Sequence, residues 1–296
     1  MEIGAWPTSQ GVNDNYREIR RLGLESHVAE LDTFGFTVVP PELAAPAGFA
    51  DKLADAIWRH TKGTDSSIAD YNSNQARAVD GEHLFHTVKR DPLFREATVS
   101  PAGYALASYI LGSSLRIYQS SSILKAGKIN PVFMHCDTLS VPPPLPPWGM
   151  VCNVTWVLSD YTRENGALFM VPGSHKLCRH PTLAEQPKCI GGQGSDDIVV
   201  PIIAKPGSLC VFHGNTWHGA LPKTSDGTRV SYATIYCRSF VMPAEDFGDL
   251  TDEEIAPHGE RFAKLAWRDK WQGYREEGPS SAKLALTRAA QENQFG

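Results

Sequence analysis

The chain has 296 residues, 42% of them hydrophobic, with 28 basic and 33 acidic side chains and a formal net charge of -5. That length allows one large domain or two ordinary ones, with enough apolar content for a substantial core. The acidic balance and the lack of a long basic run give no reason to expect a nucleic-acid partner.

The first third reads mainly as helix. From about Asn15 to Asp32 the apolar residues Ile19, Leu22, Leu24, Val28 and Leu31 recur at helical spacing, and Gly35 ends the run. Phe36 to Val39 makes a short strand stopped by Pro40 and Pro41. A second helix is expected from Phe49 to Arg59 and a third from Ala102 to Leu111, the latter between Pro101 and Gly112. Ser66 to Asp91 is polar and weakly patterned, which suggests a long loop or lid.

The middle changes character. Leu115–Leu124, Met150–Leu158, Ala167–Val171, Ile198–Ile203, Ser208–Phe212 and Val230–Phe240 are short, rich in β-branched or aromatic residues, and punctuated by turn formers. Strands in succession without intervening helices argue for an antiparallel sandwich or barrel. Helix returns after Met242, with Asp252–Trp271 and Ser280–Gln291 as candidates. The simplest arrangement is one domain over residues 1–296. Its helical N-terminal part covers about 1–112, its β-core about 113–241 and its helical tail about 242–296.

The opening residues MEIGAWPTSQ lack the basic and apolar regions of a secretory leader, and no apolar run approaches the ~20 residues of a membrane span. A cytoplasmic chain without a membrane partner is expected. Cys136, Cys152, Cys178, Cys189, Cys210 and Cys237 form no CxxC pair and read as reduced, mostly packed thiols.

The chemistry concentrates in His135-Cys136-Asp137, with His218 and Arg229 downstream. Two imidazoles and a carboxylate are the set that holds non-haem Fe(II) on one face and leaves positions open opposite. If His135 and Asp137 lie on a strand, both project from one face and Cys136 points away. His213 and His218 compete for the third ligand. Arg229, eleven residues after His218, offers the fixed fork that suits a carboxylate, and Ser231 shares its face. Each element has an ordinary structural explanation when taken alone; their conjunction carries the reading. The same ligands could hold zinc for hydrolysis, though a hydrolytic water needs no carboxylate clamp. A jelly-roll binding protein with a vestigial metal site is the alternative from another class.

His135-Cys136-Asp137, Glu164-Asn165-Gly166-Ala167-Leu168, Val171-Pro172-Gly173-Ser174-His175, Trp217-His218-Gly219-Ala220 and Arg229 resemble, in that order, the phytanoyl-CoA dioxygenase family of Fe(II)/2-oxoglutarate oxygenases. The resemblance runs from about Leu31 to Phe240. It implies a mainly β fold with flanking helices around a double-stranded β-helix (jelly-roll, cupin-like) core. It also implies iron on His135, Asp137 and His218, and 2-oxoglutarate on Arg229, with O2 as the further co-substrate. Ser231 is expected to help orient 2-oxoglutarate. The family places a side chain against 2-oxoglutarate at the position of Thr155. Gln119 is a candidate for the substrate pocket.

Three departures stand out. Cys136 replaces a common Gln, Ala220 a serine near the co-substrate, and Lys223 an Asn. The insert Val141-Pro142-Pro143-Pro144-Leu145-Pro146-Pro147-Trp148 is either a stiff surface loop or a wall of the substrate entrance, with Trp148 as the contact. The Glu164-Asn165-Gly166 and Pro172-to-His175 motifs read as turns. Related halogenases lack the carboxylate present here as Asp137, so the resemblance favours oxygenation. The expected partner is a small, lipophilic metabolite whose C–H bond is hydroxylated, with succinate and CO2 as co-products. An acyl-CoA would instead call on Lys125, Lys128 and Arg90; a polycyclic compound would call on Trp148, Trp267 and Trp271.

Overall fold

The computed structural model describes residues 10–61 and 82–268, and a short antiparallel ladder of Tyr274–Arg275 with Gly278–Pro279. The predicted helix Ser280–Gln291, Trp271 and much of the predicted lid lie outside the described residues. The single helix expected over 15–32 is two, α1 (Gln10–Arg21) and α2 (Glu25–Phe34). Gly23 breaks it with φ +67, although the apolar spacing continues across the break. α2 ends where Gly35, at φ +86, donates its N–H to the Leu31 carbonyl.

β1 (Phe36–Val39) follows, then α3 (Pro41–Ala44) and α4 (Phe49–His60). The stretch read as a loop up to Asp91 contains β2 (Glu82–Phe85). An unpredicted helix, α5 (Pro92–Thr98), begins where the Asp91 carboxylate accepts from the Leu93 N–H, and α6 covers Pro101–Leu111. The remaining strands are β3 (Arg116–Ala126), β4 (Val132–His135), β5 (Val151–Val157), β6 (Leu168–Met170), β7 (Val200–Pro201), β8 (Leu209–His213), β9 (His218–Ala220) and β10 (Thr228–Cys237). The predicted helix Asp252–Trp271 is two short ones, α7 (Asp252–Ile255) and α8 (Gly259–Leu265).

The strands form two antiparallel sheets, ordered β1-β8-β5-β10-β3-β2 and β4-β9-β6-β7. This is the expected jelly roll, and its large sheet includes β1, predicted as a strand, and β2, from the stretch read as a loop. Alternation along each strand divides the large sheet's residues between two environments. Val154 and Trp156 of β5, Val211 of β8, and Val230, Tyr232 and Tyr236 of β10 turn outward into a core shared with Leu53, Ile57, Phe94 and Leu106 of the helices. Tyr232 stacks on Phe94 at 5.2 Å, and the Tyr236 hydroxyl donates to the Thr98 carbonyl at 2.6 Å, so α5 is clamped to β10. Burying each such ring is worth about 2 kcal/mol. Both faces of β5 are covered, and all seven of its residues are buried.

The opposite alternants face the space between the sheets. Phe212, Cys210, Met170 and Ile202 pack together there, and Phe212 also borders a cavity. That cavity, between the sheets, has a volume of about 410 Å3. Gln119, Ser121, Ile123 and Lys125 of β3 line it, opposite Arg229, Ser231, Ala233 and Ile235 of β10.

Candidate active site

His135, Asp137 and His218 come together at the cavity, and one ligand atom from each lies within 4.8 Å of the others. His135 ends β4 and His218 begins β9, and the two are register partners. Their ring centroids are 4.4 Å apart. The strand stops at His135, so Asp137 does not share a strand face with it as the spacing suggested. Asp137 instead opens a turn and is held there by its N–H donating to the Gly214 carbonyl at 2.9 Å. His218 Nε2 lies 3.6 Å from Asp137 Oδ1.

Both imidazoles are pre-set for coordination. His135 Nδ1 donates to the Phe133 carbonyl at 2.8 Å, and His218 Nδ1 to the Thr216 carbonyl at 2.9 Å. A carbonyl can only accept, so each Nδ1 carries the proton and each Nε2 lone pair is free. Burial holds His218 below the ordinary histidine range, against the opposing pull of Asp137. It therefore favours the neutral form that a metal requires. His213 is excluded from the cluster: its Nδ1 accepts from the Asn215 N–H at 3.0 Å, and burial pushes it down to about 4.

The turn carrying His218 is built by the motifs read above as turns. The Gly35 carbonyl accepts from the His213 N–H and from Thr216 Oγ1. Ser174 Oγ accepts from the Trp217 N–H at 2.8 Å while donating to Val171. Gly219 permits the close approach of β4 and β6, since a Cβ there would lie 2.5 Å from the Val132 carbonyl and 2.6 Å from the Phe169 ring. The Gly166 carbonyl accepts from Arg229, whose guanidinium lies 4.9 Å over the Tyr161 ring. Sequence reading saw chain reversals in these motifs; their part in holding the site depends on distant partners.

The other predicted residues divide. Ser231, Thr155 and Gln119 line the cavity, and Ala220 and Leu168 join them. Thr155 Oγ1 donates to Asn153 Oδ1 at 2.7 Å, and Asn153 Nδ2 reaches Asp137 Oδ2 at 3.5 Å. Trp148 is not part of the lining; it packs edge-on to Phe240 at 5.8 Å, beside Arg238. None of Val141 to Trp148 lines the cavity. His180 Nε2 donates to the Val141 carbonyl at 2.8 Å, and Asn215 Nδ2 donates to the Pro146 carbonyl at 2.9 Å. Cys136 is buried, with Sγ 3.1 Å from His180 Nδ1. Trp267 donates to the Ile117 carbonyl and is likewise absent from the lining.

Among the cavity residues that sequence reasoning left unassigned or placed elsewhere, three bear on the chemistry. Asn153 carried no motif. Tyr161 lies buried beneath Arg229. Lys125, offered above as an acyl-CoA contact, is 8% exposed and paired in register with Arg229. Strand alternation from Gln119 through Lys125 was the available signal.

A jelly roll holding two histidines and a carboxylate, with open space on the metal-facing side, defines the class of non-haem iron oxygenases. The phytanoyl-CoA dioxygenase family model matches residues 31–231, and the chain belongs to that family. Dioxygenase af480 of Aspergillus fumigatus is 25% identical over 244 residues, covering 79% of this chain and 73% of its own. Phytanoyl-CoA dioxygenase domain-containing protein 1 of Danio rerio is 30% identical over 164 residues, so the match spans about half of each protein, 51% and 54%. Among solved structures, the epimerase SnoN from nogalamycin biosynthesis aligns with TM-score 0.57 and 23% identity. HygX from Streptomyces hygroscopicus, with nickel and 2-oxoglutarate bound, aligns with TM-score 0.59 and 16% identity. Each alignment covers 78% of this chain and 93% of the other, and at these identities the likeness is one of fold. No helix among the described residues is long and apolar enough to cross a membrane.

Proposed function

We propose that this oxidoreductase is an Fe(II)/2-oxoglutarate-dependent oxygenase that hydroxylates an unactivated C–H bond of a small, lipophilic metabolite, releasing succinate and CO2. The observation that carries the reading is the cavity itself. A three-ligand metal site at His135, Asp137 and His218 and a buried guanidinium, Arg229, line the same space. Iron, when bound, supplies the oxygen activation and the hydrogen abstraction.

The chain's own residues do the rest. His135, Asp137 and His218 would hold the metal, and the cavity beside them would admit a chelating co-substrate and O2. Arg229 and Ser231 orient the co-substrate's distal carboxylate, and β3 and β10 exclude bulk water around it. Asp137 is the carboxylate that related halogenases lack, which favours oxygenation. Gln119 and Ile235 line the cavity and are the side chains we assign to the substrate. HygX has been solved with hygromycin B bound, and SnoN with nogalamycin RO. These small-molecule ligands of fold relatives support a metabolite substrate here.

An acyl-CoA substrate is less well supported. Lys125 is buried in the cavity wall beside Arg229 instead of exposed at an entrance, and the Arg90 guanidinium donates to the Phe85 carbonyl.

Succinate release from 2-oxoglutarate, measured with iron-loaded wild type and Asp137→Ala, tests the proposal. Turnover that vanishes in the variant is expected. No turnover by wild type with confirmed iron loading would sink it.

A further inference from the structure

Lys125 is the cavity residue that the metal chemistry leaves unexplained. Its side chain is 8% exposed, and its Nζ has no hydrogen-bond partner among the described residues. It stands opposite Arg229 in the β3–β10 register, so two cationic side chains share one wall. Burying an ammonium unpaired is costly, and a neighbouring guanidinium, which stays charged in proteins, adds repulsion.

Two further donors on the same wall are also orphaned among the described residues. Arg229 Nε has no partner, although the guanidinium's other end donates to the Gly166 carbonyl. The Tyr161 hydroxyl, on a side chain 1% exposed, has none either. Three buried donors without an acceptor outline a place for one anion, because buried polar groups are ordinarily satisfied.

We propose that Lys125 and Tyr161 complete the seat for the co-substrate's distal carboxylate, and that Lys125 takes up a proton as that carboxylate binds. This rests on the 2-oxoglutarate reading above and adds a protonation step to it. Other charged or titratable groups lining the cavity are Arg229 on β10, His83 on β2, and His135, Asp137 and His218 at the metal end. Asp137 is the single carboxylate among them. Without the co-substrate, burial first and Arg229 second push the Lys125 ammonium down to about 7. An arriving carboxylate offsets both effects and restores the charge. The balance is one proton from solvent to Nζ, with no covalent bond made or broken between heavy atoms. Above pH ~7 the affinity for 2-oxoglutarate should then fall by up to about tenfold per pH unit, by linkage.

Calorimetric titration of 2-oxoglutarate into the iron-loaded protein under nitrogen, at pH 8 in two buffers of different ionisation enthalpy, tests this. Wild type should take up close to one proton. Lys125→Met should take up none and bind roughly 10-fold more weakly or worse, with unchanged iron content and a melting temperature no lower than that of wild type. Tyr161→Phe should bind several-fold more weakly and keep the proton uptake. Equal affinity in Lys125→Met, or no uptake by wild type, would overturn the proposal. Glutarate, which lacks the keto group, isolates the carboxylate seat: its binding to metal-free protein with proton uptake supports the seat even if no succinate is ever formed. Failure of wild type to bind either dicarboxylate would overturn both the seat and the reading beneath it.

Discussion

His135 and His218 are direct cross-strand partners on β4 and β9, and each gives its Nδ1 proton to a carbonyl two residues earlier in its own chain segment. The geometry of the two ligands is therefore a property of one strand pair. What brings those strands close enough is Gly219, beside His218.

Gly219→Ala should damage the site without touching a ligand. The new methyl would need space held by the Val132 carbonyl and the Phe169 ring, so β4 or β6 must move. A loss of about 1–3 kcal/mol in stability is expected from such overpacking. Metal affinity should weaken as well. Urea unfolding and a metal titration read the two effects; a variant with wild-type values in both would contradict the packing argument.

Thr155→Val separates two roles for that hydroxyl. Through Asn153, Thr155 steadies the second oxygen of Asp137. Loss of such an outer contact weakens metal binding by roughly 10-fold or more. Competition against a chromophoric chelator should show this, with 2-oxoglutarate affinity at saturating metal unchanged. The reverse pattern would return Thr155 to the direct co-substrate contact that the family resemblance implied.

His180→Ala tests whether the proline-rich insert braces the metal turn. His180 donates from Nε2 to the Val141 carbonyl, so its Nδ1 accepts the Cys136 thiol proton. The residue between two ligands is thereby tied to the insert. The alanine variant should release both contacts and raise the dissociation constant for the metal by about 10-fold. Faster proteolysis between Val141 and Trp148 should accompany it. Unaltered metal binding with a loosened loop would confine the insert to a surface role.

His213 predicts an acid-sensitive fold. Burial pushes its imidazole down to about 4, so between the ordinary value near 6.5 and 4 the unfolded chain holds a proton that the folded one refuses. Stability therefore falls as pH drops through that window and levels off below it. The full effect is on the order of 3 kcal/mol. His213→Gln, which cannot titrate, should lose roughly 2 kcal/mol less than wild type between pH 7 and pH 4.5 in urea unfolding. Parallel profiles would show that His213 does not control the response.

The sequence made the ligand set legible because His135, Asp137, His218 and Arg229 stand in a specific order with intervening motifs. It made most large-sheet strands legible because they are short runs of β-branched and aromatic residues, such as Val230 to Tyr236 of β10, bounded by turn formers. The bounds of β4 and β9 are not legible, although a strand at His135 is one reading of the spacing: each has four residues or fewer, and Pro131 and Gly219 argue locally against strand. The break at Gly23 was hidden by apolar spacing that runs on through it. Lys125 was misjudged for a different reason. Alternation gives the face of a strand, whereas only the fold reveals that this face meets Arg229 and no carboxylate partner.

The most direct test of the account is a crystal structure grown without oxygen in the presence of nickel and 2-oxoglutarate. The account predicts the metal on His135, Asp137 and His218, with the keto-acid end of 2-oxoglutarate on the metal and the distal carboxylate on Arg229. Metal bound elsewhere, or 2-oxoglutarate seated away from Arg229, would contradict it.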